Sequence, residues 1–130
     1  YGVTGLLLML LLKWQSLVDI ASINVEYLFL ALLVSHTVSR AFAISLMMVL
    51  PYVQEDALSK AKPIAKDWYK MDMGFAWVTA FIPLFFLPFK TATIVLLIGA
   101  MNFYWIYKWY QRRLVGYTGD ALGASQQIQE

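Results

Sequence analysis

The chain has 130 residues, of which 61% are hydrophobic and 14% charged, with a formal net charge of +2 at pH 7. An ordinary soluble domain is about 45–50% apolar and about 25% charged, so this composition favours a membrane protein. The small charge, and the absence of a stripe of basic residues interleaved with aromatics, argue against nucleic acid as a partner. The chain contains no cysteine, which excludes disulfides, zinc–thiolate sites and thiol nucleophiles.

Four apolar runs predict four membrane-spanning helices, at residues 2–21, 27–50, 73–89 and 91–110. A bilayer core of about 30 Å needs about 20 helical residues, and all but the third run supply them. The third run is shorter and contains Pro83, which predicts a kink. We therefore expect an all-α, polytopic membrane helical bundle that forms one domain over residues 1–130, with four spans and the start of a fifth.

Lysine and arginine gather on one side of this arrangement. Loop 52–72 holds four lysines, and Arg112 and Arg113 follow the fourth run, on the same side if there are four spans. Since cytoplasmic loops carry the excess of these residues, we expect this side to face the cytoplasm. Apolar residues recur at helical spacing within loop 52–72, which fits either a helix at the headgroup surface or a lid over a site on that face.

The second run carries Arg40 near its middle, with His36 one helical turn earlier on the same face and Ser39 adjacent. A central arginine costs ~2.5–3.5 kcal/mol on insertion scales, so such residues face a protein interior or a wet cavity. Two interpretations stay open, a polar packing cluster and an anion site, because guanidinium suits bidentate phosphate contacts. His36 by itself is more typical of packing than of catalysis. Lys13, in the first run, either snorkels to the interface or has a buried role.

The segment after the fourth run is rich in glycine around Thr118 and Asp120, and Gly119 and Gly123 form a G-x-x-x-G pair. One interpretation is a close helix crossing, with Thr118 capping a fifth helix and Asp120 complementing its positive end. The other is a phosphate site at the helix amides, with Asp120 holding a magnesium ion that bridges to the phosphate. The G-K-[S/T] of a Walker loop is missing.

Three segments together resemble one family. The stretch GYTGDALGA (116–124), preceded by a basic pair and followed by Glu130, looks like the late signature of the cobalamin synthases, also called adenosylcobinamide-GDP ribazoletransferases. VSHTVSR (34–40) is similar to their serine–arginine segment in a middle span. YGVTGLLLMLLLK (1–13) resembles their glycine-started, lysine-containing span. The three matches follow the family's order.

The resemblance implies a membrane transferase of the bacterial inner membrane with its active face toward the cytoplasm. In this family adenosylcobinamide-GDP reacts with alpha-ribazole or its 5′-phosphate and releases GMP, a late step of adenosylcobalamin (vitamin B12) biosynthesis. The reaction requires Mg²⁺. These small molecules and the lipid bilayer are the expected partners, and a homo-oligomer stays open.

The resemblance also assigns roles to single residues. It implies that Asp120 is a catalytic residue and a metal ligand, while Glu130 matches the family's later acid. Gln127 stands where some members have glutamate, which weakens a role for that position. The implied substrate-binding residues are Lys13, Ser39, Arg40, Gly119 and Gly123.

One departure concerns the family's aspartate-rich motif, D-G-x-x-D-x-x-D-G, which precedes the span that opens this chain and is absent from its 130 residues. The resemblance therefore implies a fragment of a longer enzyme. We expect these residues alone to be inactive, because one aspartate rarely holds magnesium by itself.

Other functions stay open at this point. A transporter or channel fragment would line a pathway with Arg40 and His36, although no inverted repeat or paired broken helices appear. A CDP-alcohol transferase would need a D-G-x-x-A-R pattern, which the chain lacks. A membrane assembly subunit without chemistry is the third alternative. An upstream aspartate cluster would favour transfer chemistry, whereas a further hydrophobic repeat would favour transport.

Overall fold

A computed structural model describes residues 2–53, 70–114 and 116–130 of the chain. These residues form five helices: α1 (Gly2–Ile23), α2 (Val25–Val49), α3 (Lys70–Leu84), α4 (Phe89–Arg113) and α5 (Gly119–Gln129). The described residues contain no strand, and a single isolated parallel bridge joins Tyr52 to Tyr117. The expected all-α membrane bundle is confirmed. The chain divides into two compact units, Tyr1–Leu33 and Val34–Glu130.

The first unit contains α1 and the first part of α2. Within α1, residues Val3–Ile23 are long and apolar enough to cross a membrane, and their most apolar stretch is not buried against other described residues. A helix that is hydrophobic on every side is typical of a membrane span. Asn24 separates the two helices. Its backbone N–H donates to the carbonyl of Ile20 (3.2 Å), and its side-chain oxygen accepts from the backbone N–H of Glu26 (2.9 Å), so one residue ends α1 and caps α2.

Three helices have the length and hydropathy of a span, and they correspond to the first, second and fourth predicted runs: Val3–Ile23, Val25–Val49 and Phe89–Arg113. The run at 73–89 differs from the prediction, because α3 has 15 residues and ends at Leu84. At 1.5 Å per residue it is about 22 Å long, less than the bilayer core of about 30 Å.

Pro83 lies in the last turn of α3 and does not kink a longer helix. Proline has no N–H to continue the ladder of hydrogen bonds, and α3 ends one residue later. Tighter bonds follow, from the N–H of Phe86 to the carbonyl of Pro83 (3.2 Å) and from the N–H of Leu87 to that of Leu84 (3.1 Å). Pro88 then precedes the first residue of α4, where a fixed φ is tolerated.

Most of the predicted loop 52–72 lies outside the described residues, which resume at Lys70. The two interpretations of this loop, a surface helix or a lid, therefore stay predictions. Lys70 is the first residue of α3.

The core of the second unit joins α2 to α4. Phe42 of α2 packs against Phe103 of α4, with ring centroids 5.7 Å apart, and against Trp77 of α3 at 5.0 Å. Further along both helices lies a buried cluster made of Leu46, Leu50, Ile106, Tyr110 and Tyr117. Since later residues of α2 meet later residues of α4, the two helices run in the same direction.

The ends of α2 and α4 are tied together by what we call the Pro51–Tyr117 bridge, which consists of residues 51–53 and 116–117. The N–H of Val53 donates to the carbonyl of Tyr117 (2.9 Å), and the N–H of Tyr117 donates to that of Pro51 (3.0 Å). Gly116 is buried here, and a Cβ at this position would overlap the Pro51 carbonyl and the Val53 side chain. The bridge places the start of loop 52–72 and the segment after the fourth run at one end of the unit, as the sequence predicts.

Helix α5 starts at this bridge and runs back along the unit. The predicted cap is confirmed, since the Thr118 side chain accepts from the N–H of Ala121 (3.3 Å). The hydroxyl of Tyr110 on α4 donates to the carbonyl of Ala121. At the other end, Glu130 reaches His36 of α2, so α5 is antiparallel to α2.

Candidate functional site

The polar face of α2 carries Ser39 and Arg40, and the structure places them differently. Ser39 is 1% exposed, and its hydroxyl donates to the carbonyl of His36 (3.1 Å). A hydroxyl bonded to the preceding turn is satisfied inside its own helix, which fits packing more directly than substrate contact. Arg40, by contrast, is exposed.

Arg40 lies past the middle of a helix that is long and apolar enough to span a bilayer. Among the residues that the structure describes, none forms an ion pair with its guanidinium. A cation at such a depth is costly unless it meets an anion or water. This arrangement favours the anion-site interpretation over the packing cluster.

An unpredicted pair lies one turn from Arg40. His36 Nδ1 is 3.0 Å from Glu130 Oε1, and their side chains are 53% and 5% exposed. The Nε2 amide of Gln126 lies 3.5 Å from the same carboxylate oxygen. Sequence reasoning assigned His36 to packing and Glu130 to a family match. It missed their contact because 94 positions separate them and no periodic pattern joins the two segments.

Gln129, next to Glu130 in the chain, carries a buried polar atom. The side-chain oxygen of Gln129 is buried and has no hydrogen-bond partner within the described part of the chain. Buried polar atoms are nearly always satisfied in native proteins. The end of α5 therefore has unmet polar capacity close to Glu130.

The N-terminal end of α5 is exposed. Gly119, Asp120 and Gly123 are exposed, and no heavy atom within the described ranges lies within 4 Å of a Cβ built at either glycine. The described helices therefore make no close crossing at this G-x-x-x-G pair. Asp120 lies in the first turn of α5, where a carboxylate complements the partial positive charge of the helix end.

The described residues do not by themselves form a metal site. They contain no group of three or more His, Cys, Asp or Glu side chains able to hold a metal. Magnesium is commonly bound through one or two carboxylates together with substrate phosphates and water. Asp120 fits as one such ligand, and the rest must come from phosphate oxygens, water or other parts of the protein.

Arg40 and Asp120 lie at different levels of the second unit. Asp120 follows the Pro51–Tyr117 bridge, whereas Arg40 precedes Pro51 by eleven residues, about 16 Å along the helix axis. Lys13 belongs to the first unit, where it lies in α1 with its side chain partly buried.

The bridge beside the open end of α5 is uncharged at neutral pH. Burial raises the pKa of the Tyr117 hydroxyl above its ordinary value, and repulsion from Tyr52 adds to the rise. The two rings lie 5.3 Å apart. Among the described residues, charge near this end is carried by Asp120 and by Arg112 and Arg113, which occupy the last turn of α4.

Comparison with known proteins agrees with the family resemblance seen in the sequence. A family model described as cobalamin-5-phosphate synthase matches residues 1–130. The chain is 40% identical over 134 residues to an adenosylcobinamide-GDP ribazoletransferase of Shewanella piezotolerans, and 41% identical over 133 residues to one of Shewanella amazonensis. Each alignment covers 100% of this chain and 50% of the relative, so the chain spans about half the length of the curated relatives it matches. No solved structure matches.

Proposed function

Because the chain belongs to the cobalamin-5-phosphate synthase family, we propose that it is part of a membrane-bound adenosylcobinamide-GDP ribazoletransferase. The proposed reaction joins alpha-ribazole, or its 5′-phosphate, to adenosylcobinamide-GDP and releases GMP, a late step of adenosylcobalamin biosynthesis. The two relatives named above carry this enzyme's name. Since the chain spans half their length, the activity is proposed for the full-length protein.

The observation that supports this function best is that the Arg40 side chain is exposed within an apolar span. An exposed guanidinium within an apolar span, without an ion-pair partner in the described residues, is suited to a phosphate group. Guanidinium binds phosphate through two parallel N–H···O contacts. Adenosylcobinamide-GDP carries a pyrophosphate, so it provides the charge and the geometry that Arg40 can bind.

In the proposed mechanism the hydroxyl of alpha-ribazole attacks the pyrophosphate phosphorus that carries the cobinamide group. The bond from that phosphorus to the bridging oxygen breaks, GMP leaves with the bridging oxygen, and the hydroxyl loses its proton to water. The protein's main tasks are to align hydroxyl and phosphorus and to stabilise negative charge on the phosphate oxygens. Arg40 contacts phosphate inside the span. At the first turn of α5, the free backbone N–H groups face an anionic group of the substrate. Gly119 and Gly123 leave room for that group to approach.

Magnesium is the proposed cofactor, with Asp120 as one ligand. The ion, when bound, offsets the negative charge of the phosphate oxygens. Asp120 is exposed at the first turn of α5, so its carboxylate is free of the protein core. The remaining carboxylates are expected from the aspartate-rich motif of the full-length enzyme.

The active face is proposed to lie toward the cytoplasm of the bacterial inner membrane. The Pro51–Tyr117 bridge supports this orientation, since it brings the start of the lysine-rich loop to the end where Arg112 and Arg113 lie. An excess of Lys and Arg marks cytoplasmic loops. Neither relative named above is described as a transporter, and a homo-oligomer stays a prediction.

The test is GMP release by the full-length protein in detergent with Mg²⁺, from adenosylcobinamide-GDP plus alpha-ribazole. We expect release by the wild type and a fall of at least about 10²-fold in Asp120→Asn, because that variant loses the charge that binds the metal. Asp72→Asn, in the first turn of α3, is the matched control and is expected to stay within about threefold of wild type. Well-folded wild-type protein that releases no GMP contradicts the proposed function.

A further inference from the structure

One side of α4 is exposed along most of its length. Its side chains recur every three or four residues, so they share one face of the helix. We call the apolar part of this face the α4 stripe, which consists of Ile94, Leu97, Ile98, Met101 and Trp105, all of them exposed. Lys108 and Arg112 continue the same line toward the end of the helix and are exposed as well. This side of α4 is therefore apolar first and cationic at its end.

The length of the α4 stripe matches one leaflet of a bilayer. Eleven residues separate Ile94 from Trp105, which is about 16 Å along the helix axis. Half of a bilayer core of about 30 Å is about 15 Å. Lys108 and Arg112 lie about 5 and 10 Å farther along the axis. When the stripe lies against acyl chains, these two cations are therefore at the depth of the phospholipid headgroups.

The two cations are placed to share one anionic group. Lys108 and Arg112 are one turn apart on the same face. Because Cα–Cβ bonds tilt toward the start of a helix, the Arg112 side chain leans over the turn that carries Lys108. The Lys108 ammonium lies 5.8 Å from the centroid of the Tyr104 ring, a cation–π contact that keeps it beside the stripe. Trp109, the next residue, is also exposed and adds an indole N–H donor.

The charge of this face favours an anionic lipid over a zwitterionic one. Residues 89–113 contain no aspartate or glutamate, and the next acidic residue along the chain is Asp120. A zwitterionic headgroup carries its own positive charge, which both cations repel, whereas an anionic headgroup carries only the charge that they attract. Each Lys or Arg near the headgroups gives about a fivefold preference for anionic lipid.

We propose that the α4 stripe, Lys108 and Arg112 bind one anionic phospholipid of the leaflet at that end of α4. Its phosphate accepts hydrogen bonds from the ammonium and the guanidinium, and an acyl chain lies along the stripe. The lipid is a bound partner of the protein and takes no part in the transfer chemistry. Its binding can therefore be measured without substrate, whatever the outcome of the GMP assay.

The test is lipid binding to the full-length protein in mild detergent, followed by native mass spectrometry with phosphatidylglycerol and phosphatidylcholine of identical acyl chains. We expect the wild type to bind phosphatidylglycerol at least about tenfold more tightly. Arg112→Gln and Lys108→Gln should each lower this ratio of affinities about fivefold, because one cation is lost. Arg112→Lys keeps the charge and should stay within about twofold of the wild-type ratio.

Arg113→Gln is the matched control for the position of the charge. Arg113 is also exposed and lies next to Arg112, but about 100° around the helix from it, so it points away from the stripe. Its ratio should stay within about twofold of wild type. Equal losses in Arg112→Gln and Arg113→Gln indicate a diffuse attraction to the headgroup layer and overturn the proposal. Unchanged ratios in Arg112→Gln and Lys108→Gln, as expected if another segment of the full-length protein covers the stripe, also overturn it.

Two further measurements separate a lipid site from a phosphate site. Glycerol 3-phosphate carries the anionic group without acyl chains, so at equal concentration it should not displace phosphatidylglycerol. Leu97→Ser makes the stripe more polar and should weaken both lipids at least about threefold while their ratio stays the same, because the acyl chain is common to both. Displacement by glycerol 3-phosphate, or unchanged binding of both lipids by Leu97→Ser, contradicts the proposal.

Discussion

Replacing Gly116 with alanine should weaken the second unit more than its single methyl group suggests. The Cβ would overlap the Pro51 carbonyl and the Val53 side chain, and the carbonyl belongs to backbone that cannot rotate aside. Relief of the overlap requires the two segments of the Pro51–Tyr117 bridge to separate, which stretches both of its hydrogen bonds.

The expected loss follows from these contacts. Each bridge hydrogen bond contributes about 0.5–1.5 kcal/mol, and overpacking of a buried site costs about 1–3 kcal/mol. Since stretching relieves part of the overlap, the two terms do not add fully, and we expect a loss of about 2–4 kcal/mol in the free energy of unfolding. The assay is thermal or denaturant unfolding in mild detergent, followed by tryptophan fluorescence.

The matched control is Gly74→Ala, within α3. No heavy atom of the described residues lies within 4 Å of a Cβ there, so alanine should be neutral or stabilise the helix by up to about 1 kcal/mol. If Gly116→Ala proves as stable as Gly74→Ala, the close approach of Gly116 to Pro51 does not exist and the tie between α2 and α4 has been misplaced.

Three further outcomes are expected. Gly99→Ala should cost about 1–3 kcal/mol, measured by unfolding, because the new methyl meets the ring of Phe42 and must displace it; an unchanged midpoint would contradict that packing. Tyr110→Phe removes the donor to the Ala121 carbonyl, so α5 should become cleavable by protease at lower temperature, and unchanged cleavage would show that α5 docks without it. Since the folded pKa of Tyr117 is raised, the folded state keeps its proton longer and stability should fall as pH rises above about 10. Denaturant unfolding at pH 9 and pH 11 checks this, and Tyr117→Phe is expected to show a smaller fall in the free energy of unfolding.

The sequence predicts the helices that depend on run length and local chemistry. Unbroken apolar runs identify α1, α2 and α4, because the bilayer sets their length. The sequence also predicts Thr118 as a cap, because hydroxyl side chains satisfy free N–H groups at helix starts. The predicted end of the third run is wrong because proline in an apolar run fits either a kink or a stop, and the sequence alone does not show that α3 ends at Leu84.

The candidate site was predicted in its parts but not in its arrangement. Arg40 stands out in the sequence because it is a charge within an apolar run, and Asp120 stands out because glycines surround it. Their placement at different levels of the second unit depends on α5 starting at the Pro51–Tyr117 bridge and turning back. That path is a long-range property, fixed by the bridge and by the contact of His36 with Glu130, and no local pattern encodes it.

The central claim is that Arg40 binds phosphate in a ribazoletransferase. The most direct measurement is kcat/KM for GMP release by the full-length protein carrying Arg40→Ala or Arg40→Lys, with Arg113→Ala as the control for loss of an exposed arginine. We expect Arg40→Ala to lower kcat/KM by about 10- to 100-fold, the equivalent of a charge-assisted hydrogen bond of about 1.5–3 kcal/mol. Arg40→Lys should retain part of the wild-type kcat/KM, since lysine keeps the positive charge but not the paired N–H donors. If folded Arg40→Ala turns over like Arg113→Ala, then Arg40 is a packing residue and the claim is wrong.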